Sequence, residues 1–143
     1  VEENIKGHAF SYGVDPERII FAEFLANDEH LSRHSCADLF LDTFNYNAHT
    51  TACDSLWAGL PVLTKIGNGF ASRVSSSLLN AINLPELITK TNTEYENLAY
   101  SLASNPKKLN QIKEKLDKNI SSSNLFNTEK YTRDYEDLLK STL

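Results

Sequence analysis

Four short apolar runs return about every 20–25 residues between Arg18 and Ile88, with helix-type stretches between them. They are Arg18-Ile-Ile-Phe21, Leu39-Phe-Leu41, Pro61-Val-Leu-Thr64 and Glu86-Leu-Ile88. That period is what a right-handed βαβ unit requires, because a crossover helix must run back over the sheet before the next parallel strand can start. The pattern predicts an α/β fold, a Rossmann-like parallel sheet of four strands flanked by helices.

The intervening stretches carry helix signals. Residues 1–12 read as a helix ending before Gly13, and Asp28 as the N-cap of a short helix to about Ala37. A third helix opens at His49, Thr50 and Thr51, buries Trp57, and is stopped by Gly59 and Pro61. A fourth covers Ala71–Asn83 with Val74, Leu78 and Ala81 on one side. Beyond Ile88 the chain reads as helical throughout. Thr93 starts a helix to Ser104, and Pro106 starts one with Leu109, Ile112, Leu116 and Ile120 at 3–4 spacing. After a break at Ser121-Ser-Ser-Asn124, a last helix from Thr128 has Tyr131, Tyr135, Leu138 and Leu139 as its apolar stripe. The expectation is one domain over residues 1–143, with the helices after about residue 93 as a C-terminal annex.

Composition removes several classes of function. A formal net charge of −5 argues against non-specific binding to nucleic acid or to an anionic membrane. No run approaches the roughly 20 apolar residues of a membrane span, and none reads as a secretory signal. Cys36 and Cys53 form no C-x-x-C pair and read as free thiols in a reducing cytoplasm. The chain contains no methionine and opens on Glu2-Glu-Asn-Ile-Lys6, which reads as the tail of a helix; the expectation is the C-terminal part of a longer protein.

In an open parallel sheet, ligands bind beyond the carboxyl ends of the strands. Three polar segments follow such ends: Glu23–Asn27 with His30 and Arg33, the stretch Asp42–Asp54, and the Lys65–Gly69 loop. Two hydroxyls and an imidazole at a helix start suit an anion, above all a phosphate. The dipole contributes only about 0.3–1 kcal/mol, against the roughly 8 kcal/mol of micromolar binding, so a nucleotide would need further contacts to base and sugar. Each candidate also has a plainer reading. His30, Arg33 and His34, at i, i+3 and i+4, either share a binding face or form a solvated one. His49 is a phosphate donor or a loop histidine bonded to the backbone, and Thr50 and Thr51 are donors or helix caps. Asp54 accepts from ribose hydroxyls or is a favourable acid near a helix start, while Ser72 and Arg73 read as capping and loop-anchoring residues. His30, His34 and Cys36 lack metal-site spacing, so no metal is expected. Neither G-x-x-x-x-G-K-[ST] nor G-x-G-x-x-G occurs. Residue chemistry alone therefore reaches an α/β domain with an anion site.

Longer motifs add to this. Gly13-Val-Asp-Pro-Glu-Arg-Ile-Ile-Phe21, Glu29-His30, Ala37-Asp38, Leu41-Asp-Thr43, His49-Thr-Thr51, Asp54-Ser-Leu-Trp-Ala-Gly-Leu-Pro-Val-Leu-Thr64 and Ala71-Ser-Arg-Val74 resemble the C-terminal catalytic lobe of O-GlcNAc transferases. Glu86-Leu-Ile88, Glu94-Tyr95 and Leu125-Phe-Asn-Thr128 with Tyr131 extend the likeness over nearly the whole chain. The resemblance implies the C-terminal lobe of an inverting glycosyltransferase of GT-B type, usually behind tetratricopeptide repeats. It also implies transfer from UDP-GlcNAc to serine or threonine hydroxyls of intracellular proteins, with no cofactor and no metal. By resemblance, His30 stacks near the uridine and Arg33 supports that wall. The Leu25 backbone meets the uracil edge, Asp54 holds the ribose, and His49, Thr50 and Thr51 stabilise the leaving diphosphate. Acceptor-side and proton-handling groups would belong to the other lobe, so the chain alone is expected to be inactive. Asn27 stands where the family often has a lysine and Ala26 where it has a proline; a further family lysine would lie upstream of Val1. A GDP-fucose-dependent protein O-fucosyltransferase relative is the rival enzyme, although His49 favours UDP. A non-catalytic lobe acting as an interaction scaffold is the rival outside enzymes.

Overall fold

The computed structural model describes residues 1–142. The chain divides into two compact units, residues 1–30 and the remainder. In the smaller unit, helix α1 (Glu2–Ser11) buries none of its residues. It ends where Gly13, at φ +75°, takes the left-handed conformation that closes a helix most cheaply in glycine. The Asp15 carboxylate then accepts from Glu17 N–H at 3.0 Å and seeds a 3₁₀ turn over Pro16–Arg18. The strand expected at Arg18–Phe21 does not form. Arg18 is drawn into that turn, and Ile19 onward finds no ladder partner, without which an extended segment is not a strand. Ile20 and Phe24 are 87% and 98% exposed within the described chain.

Helix α2 (Asn27–Ser32) begins one residue before the expected Asp28 cap and gives way to a 3₁₀ helix at Arg33–Cys36. The single α-helical face expected for His30, Arg33 and His34 is therefore interrupted. His34 is buried, with Nδ1 3.2 Å from the Leu31 carbonyl.

The larger unit is built on three parallel strands among the described residues, in spatial order β1 (Phe40–Leu41), β2 (Val62–Lys65), β3 (Ile88–Thr89). Phe40 and Leu41 pair with Val62 and Leu63, and Thr64 and Lys65 pair with Ile88 and Thr89. Helices α3 (Thr50–Trp57) and α4 (Val74–Ala81) make the crossovers. Helices α5 (Asn92–Ser104), α6 (Pro106–Ser122) and α7 (Thr128–Ser141) follow. The core gathers Leu56 from α3, Val62 from β2, Leu79 from α4, Leu102 from α5, and Leu109 and Leu116 from α6. This is the expected α/β class, a Rossmann-like parallel sheet flanked by helices.

Packing corrects several local expectations. The buried face of α4 is Ser75, Ser76 and Leu79, and Ala81 is exposed. Small hydroxyl side chains let that helix lie close to the loop after β1, a preference that apolar periodicity cannot register. The capping threonine of α5 is Thr91, not Thr93. It accepts from Glu94 N–H at 3.1 Å, and Glu94 accepts in return from Thr91 N–H, forming a capping box. Trp57 is not core. It is 56% exposed and meets Phe126 edge to face, with ring centres 5.1 Å apart, because it points off the end of α3 away from the sheet-facing Ala52–Leu56 side. The stripe of α7, with Tyr131, Tyr135, Leu138 and Leu139, is exposed.

Removing the fully buried Leu116 side chain (Leu116→Ala) is expected to cost about 2–5 kcal/mol. Leu138→Ala, at a position 61% exposed, should stay within about 0.5 kcal/mol. Urea denaturation midpoints at constant m-value check both; equal losses would contradict the core assigned here.

Candidate functional site

The loop from Asp42 to Ala48 joins the carboxyl end of β1 to α3, and its shape is set by one buried carboxylate. Asp42 Oδ1 accepts from Thr43 N–H at 2.9 Å and from Ala48 N–H at 2.7 Å, so one oxygen ties the first and last peptides of the loop together. Its Oδ2 accepts from the Thr64 hydroxyl on β2 at 2.6 Å. Tyr95 on α5 donates its hydroxyl to the Asp42 carbonyl at 3.0 Å. The Thr89 hydroxyl of β3 donates to the Thr64 carbonyl at 2.9 Å. Within the loop Asn47 Nδ2 donates to the Thr43 carbonyl at 2.7 Å, while Asn47 N–H donates to the Ala71 carbonyl at 2.8 Å. Ser75 of α4 donates to the Ala48 carbonyl at 2.8 Å.

That loop delivers the chain to the mouth of α3. His49 is the N-cap residue, at φ −101° and ψ −92°, and its side chain makes no capping hydrogen bond. Helices α5, α6 and α7 are each closed by a side chain, from Thr91, Asn105 and Asn127. The mouth of α3 thus keeps first-turn N–H groups and the positive end of the dipole unoccupied by any capping group of its own. Thr50 and Thr51 sit exposed in that first turn and are not caps. Asp54, one turn on, is half-buried. His49 Nε2 lies 3.4 Å from the Ala71 carbonyl. The ring stacks on Tyr46, centres 4.6 Å apart and planes 17° off parallel, and meets the edge of Phe70.

The β2 loop lies against the same edge. Gly67 N–H donates to the Ser72 carbonyl at 2.8 Å, and a β-carbon on Gly67 would stand 2.3 Å from Ser72 Oγ, so only glycine fits there. Ser72 donates to the Gly69 carbonyl at 3.0 Å, and Arg73 Nη1 lies 3.5 Å from the Gly67 carbonyl; both anchor this loop, and neither caps α4. Lys65, ending β2, donates to Asn92 Oδ1 at 2.8 Å with its ammonium 4.4 Å from the centre of the Phe44 ring.

Helix α3 therefore brings His49, Thr50, Thr51 and Asp54 together. Arg33 is half-buried at the start of its 3₁₀ helix in the same unit, while Leu25 and His30, also half-buried, belong to the smaller unit. Sequence reasoning did not single out Asp42, Thr64, Tyr95, Asn47 or Ser75 as shaping the mouth. An aspartate directly after a strand, at the carboxyl edge where loops carry sites, was the available signal for the first. Among the described residues no group of three or more His, Cys, Asp or Glu side chains could hold a metal ion. No helix among them is long and apolar enough to cross a membrane.

A parallel sheet with a fixed polar loop at its carboxyl edge and helix α3 behind it defines a Rossmann-like lobe. Residues 1–135 match the model of glycosyl transferase family 41, and the chain belongs to that family. It is 41% identical over 96% of its length to a UDP-N-acetylglucosamine–peptide N-acetylglucosaminyltransferase of Caenorhabditis elegans. Against a probable enzyme of the same name from Arabidopsis thaliana, the identity is 37% over 94% of the chain. The chain spans 12% and 14% of the lengths of these two relatives. A solved Thermobaculum terrenum O-GlcNAc transferase mutant superposes with a TM-score of 0.90 at 28% identity, over 98% of this chain and 27% of that one.

Burial, and secondly the Asp42 carboxylate, push the Tyr95 phenol up to about 12 from an ordinary value of ~10. The fold favours the neutral phenol, so this contribution to stability is full below about pH 10 and is lost as pH rises towards 12. Tyr95→Phe removes the hydrogen bond to Asp42, which is expected to cost about 0.5–1.5 kcal/mol near neutral pH. The variant should also lose less stability than the parent across that alkaline window. Denaturation midpoints against pH, with tyrosinate absorbance, check it; parallel alkaline profiles would refute the assignment.

Proposed function

We propose that this chain is the nucleotide-sugar-binding part of a protein O-GlcNAc transferase-like inverting glycosyltransferase. Its donor is UDP-GlcNAc, and its acceptors are serine or threonine hydroxyls of proteins. The observation that carries the reading is the mouth of α3, where His49, Thr50 and Thr51 stand and the N-cap side chain makes no capping hydrogen bond, in a chain of family 41. Relatives whose names specify UDP-N-acetylglucosamine and a peptide acceptor support the choice of substrates.

In this reaction an acceptor oxygen bonds to the anomeric carbon from the face opposite the nucleotide while the bond to the diphosphate breaks. Negative charge gathers on the departing UDP. Donors already fixed around that diphosphate gain strength as the charge grows, so they lower the barrier more than they tighten ground-state binding. The first-turn N–H groups of α3, the Thr50 and Thr51 hydroxyls and the His49 imidazole are those donors. Asp54 accepts from the ribose, and by the family resemblance His30, Arg33 and the Leu25 backbone are the candidate contacts to the uridine. The set stabilises the leaving group with neither cofactor nor metal. Acceptor-side and proton-handling groups come from a second lobe of the full-length protein, which also carries tetratricopeptide repeats and works in the cytoplasm. The unpaired thiols of Cys36 and Cys53 suit that compartment.

Calorimetric titration with UDP, GDP and UDP-GlcNAc tests this. UDP should bind, and the double variant His49→Ala, Thr51→Ala should weaken it by at least about tenfold, or ~1.4 kcal/mol. Preference for GDP would point to a GDP-fucose-dependent relative, and silence towards all three to an interaction scaffold. The 143-residue chain by itself should transfer no sugar to a serine-containing peptide in a radiolabel assay; measurable transfer would show that the acceptor-side groups lie within it.

A further inference from the structure

We infer that Tyr46 is a positioning residue for His49, holding the imidazole at the mouth of α3 by stacking on it; this rests on the reading of His49 as a donor to the nucleotide. The imidazole has little else to fix it. It makes no capping bond to its own helix, and its contact to the Ala71 carbonyl, at 3.4 Å, is at the long limit of a hydrogen bond. Such a contact leaves the ring free to turn away from the helix axis at small cost.

The Tyr46 ring supplies what the hydrogen bond does not. It lies over one face of the imidazole, 4.6 Å between centres and 17° between planes, while Phe70 meets the same ring edge-on at 6.1 Å and 87°. Face and edge contacts together leave the ring one plane. Tyr46 is itself held from its backbone, since the Thr43 hydroxyl donates to its carbonyl, in the loop whose ends Asp42 clamps. Its side chain is 64% exposed and so contributes little to the core. A large aromatic group left in water at the edge of a sheet, with an imidazole as its stacking partner, is placed for the site. The constraint runs from Asp42 through the loop to Tyr46 and on to His49.

The test is a double-mutant cycle on UDP affinity in the full chain, with Tyr46→Ala, Tyr46→Phe and His49→Ala. Tyr46→Ala should weaken UDP binding by about three- to tenfold, and should do nothing further when His49→Ala is already present. Tyr46→Phe, which keeps the ring and loses only the hydroxyl, should restore the parent affinity. In the free protein, the His49 ring proton resonances should move on Tyr46→Ala, through loss of the ring current, and hold on Tyr46→Phe. If Tyr46→Ala binds UDP like the parent while His49→Ala does not, the positioning role is overturned and the nucleotide site stands. Equal losses with and without His49, or a Phe variant as weak as the Ala variant, would mean that Tyr46 touches the nucleotide directly, which also overturns it. If His49→Ala leaves UDP affinity unchanged, the site reading itself fails.

Discussion

A carboxylate taken out of water costs several kcal/mol unless its oxygens are met by donors. In this chain Asp42, only 3% exposed, is met by two peptide N–H groups and one threonine hydroxyl. Those partners come from the start of the loop after β1, from its end, and from the neighbouring strand. Satisfying one charge therefore fixes a loop, its register against β2, and the point at which α3 begins. Tyr95 binds the carbonyl of the same residue and draws α5 to the same place. The carboxyl edge of the sheet is organised by polar contacts of defined direction, whereas the layer beneath it is held by leucines that need only fit.

Around this centre the small residues decide how closely the parts approach. Serines on the buried face of α4 let that helix reach the Ala48 carbonyl, and Gly67 lets the β2 loop close on Ser72. The loops after β1 and β2 are then joined directly, with Asn47 N–H on the Ala71 carbonyl. Under the proposed function, a mouth built this way has its donors in place before the nucleotide arrives. Such an arrangement favours transition-state charge over ground-state contact, since no reorganisation is needed as the charge develops.

Much of this was legible in the chain. Hydrophobic spacing gave the α/β class, the parallel crossovers and all three long C-terminal helices, because burying one face of each element imposes a period that the sequence must carry. The motif His49-Thr-Thr51 after a strand and loop located the helix mouth. Less legible were features in which two distant segments have to agree. The run Arg18–Phe21 has the composition of a strand, but a strand exists only through a partner, and composition names none. Trp57 carries the right residue type for a core and stands at the solvent end of its helix. The apolar stripe of α7 was read correctly as a stripe, while its burial depends on what packs against it and is absent in the described chain.

The sequence by itself determined the α/β class, three of the four expected strands and the long helices, because those follow from propensity, period and chain direction over a few residues. Only the tertiary structure decided that Asp42 is the clamp, that Thr64 and Tyr95, 22 and 53 residues further along, are its partners, and that Tyr46 stacks on His49. Hydrogen bonds and ring stacking are short-ranged and directional. They depend on where the fold brings atoms to within a few ångströms, a geometry that no local pattern of residue types contains.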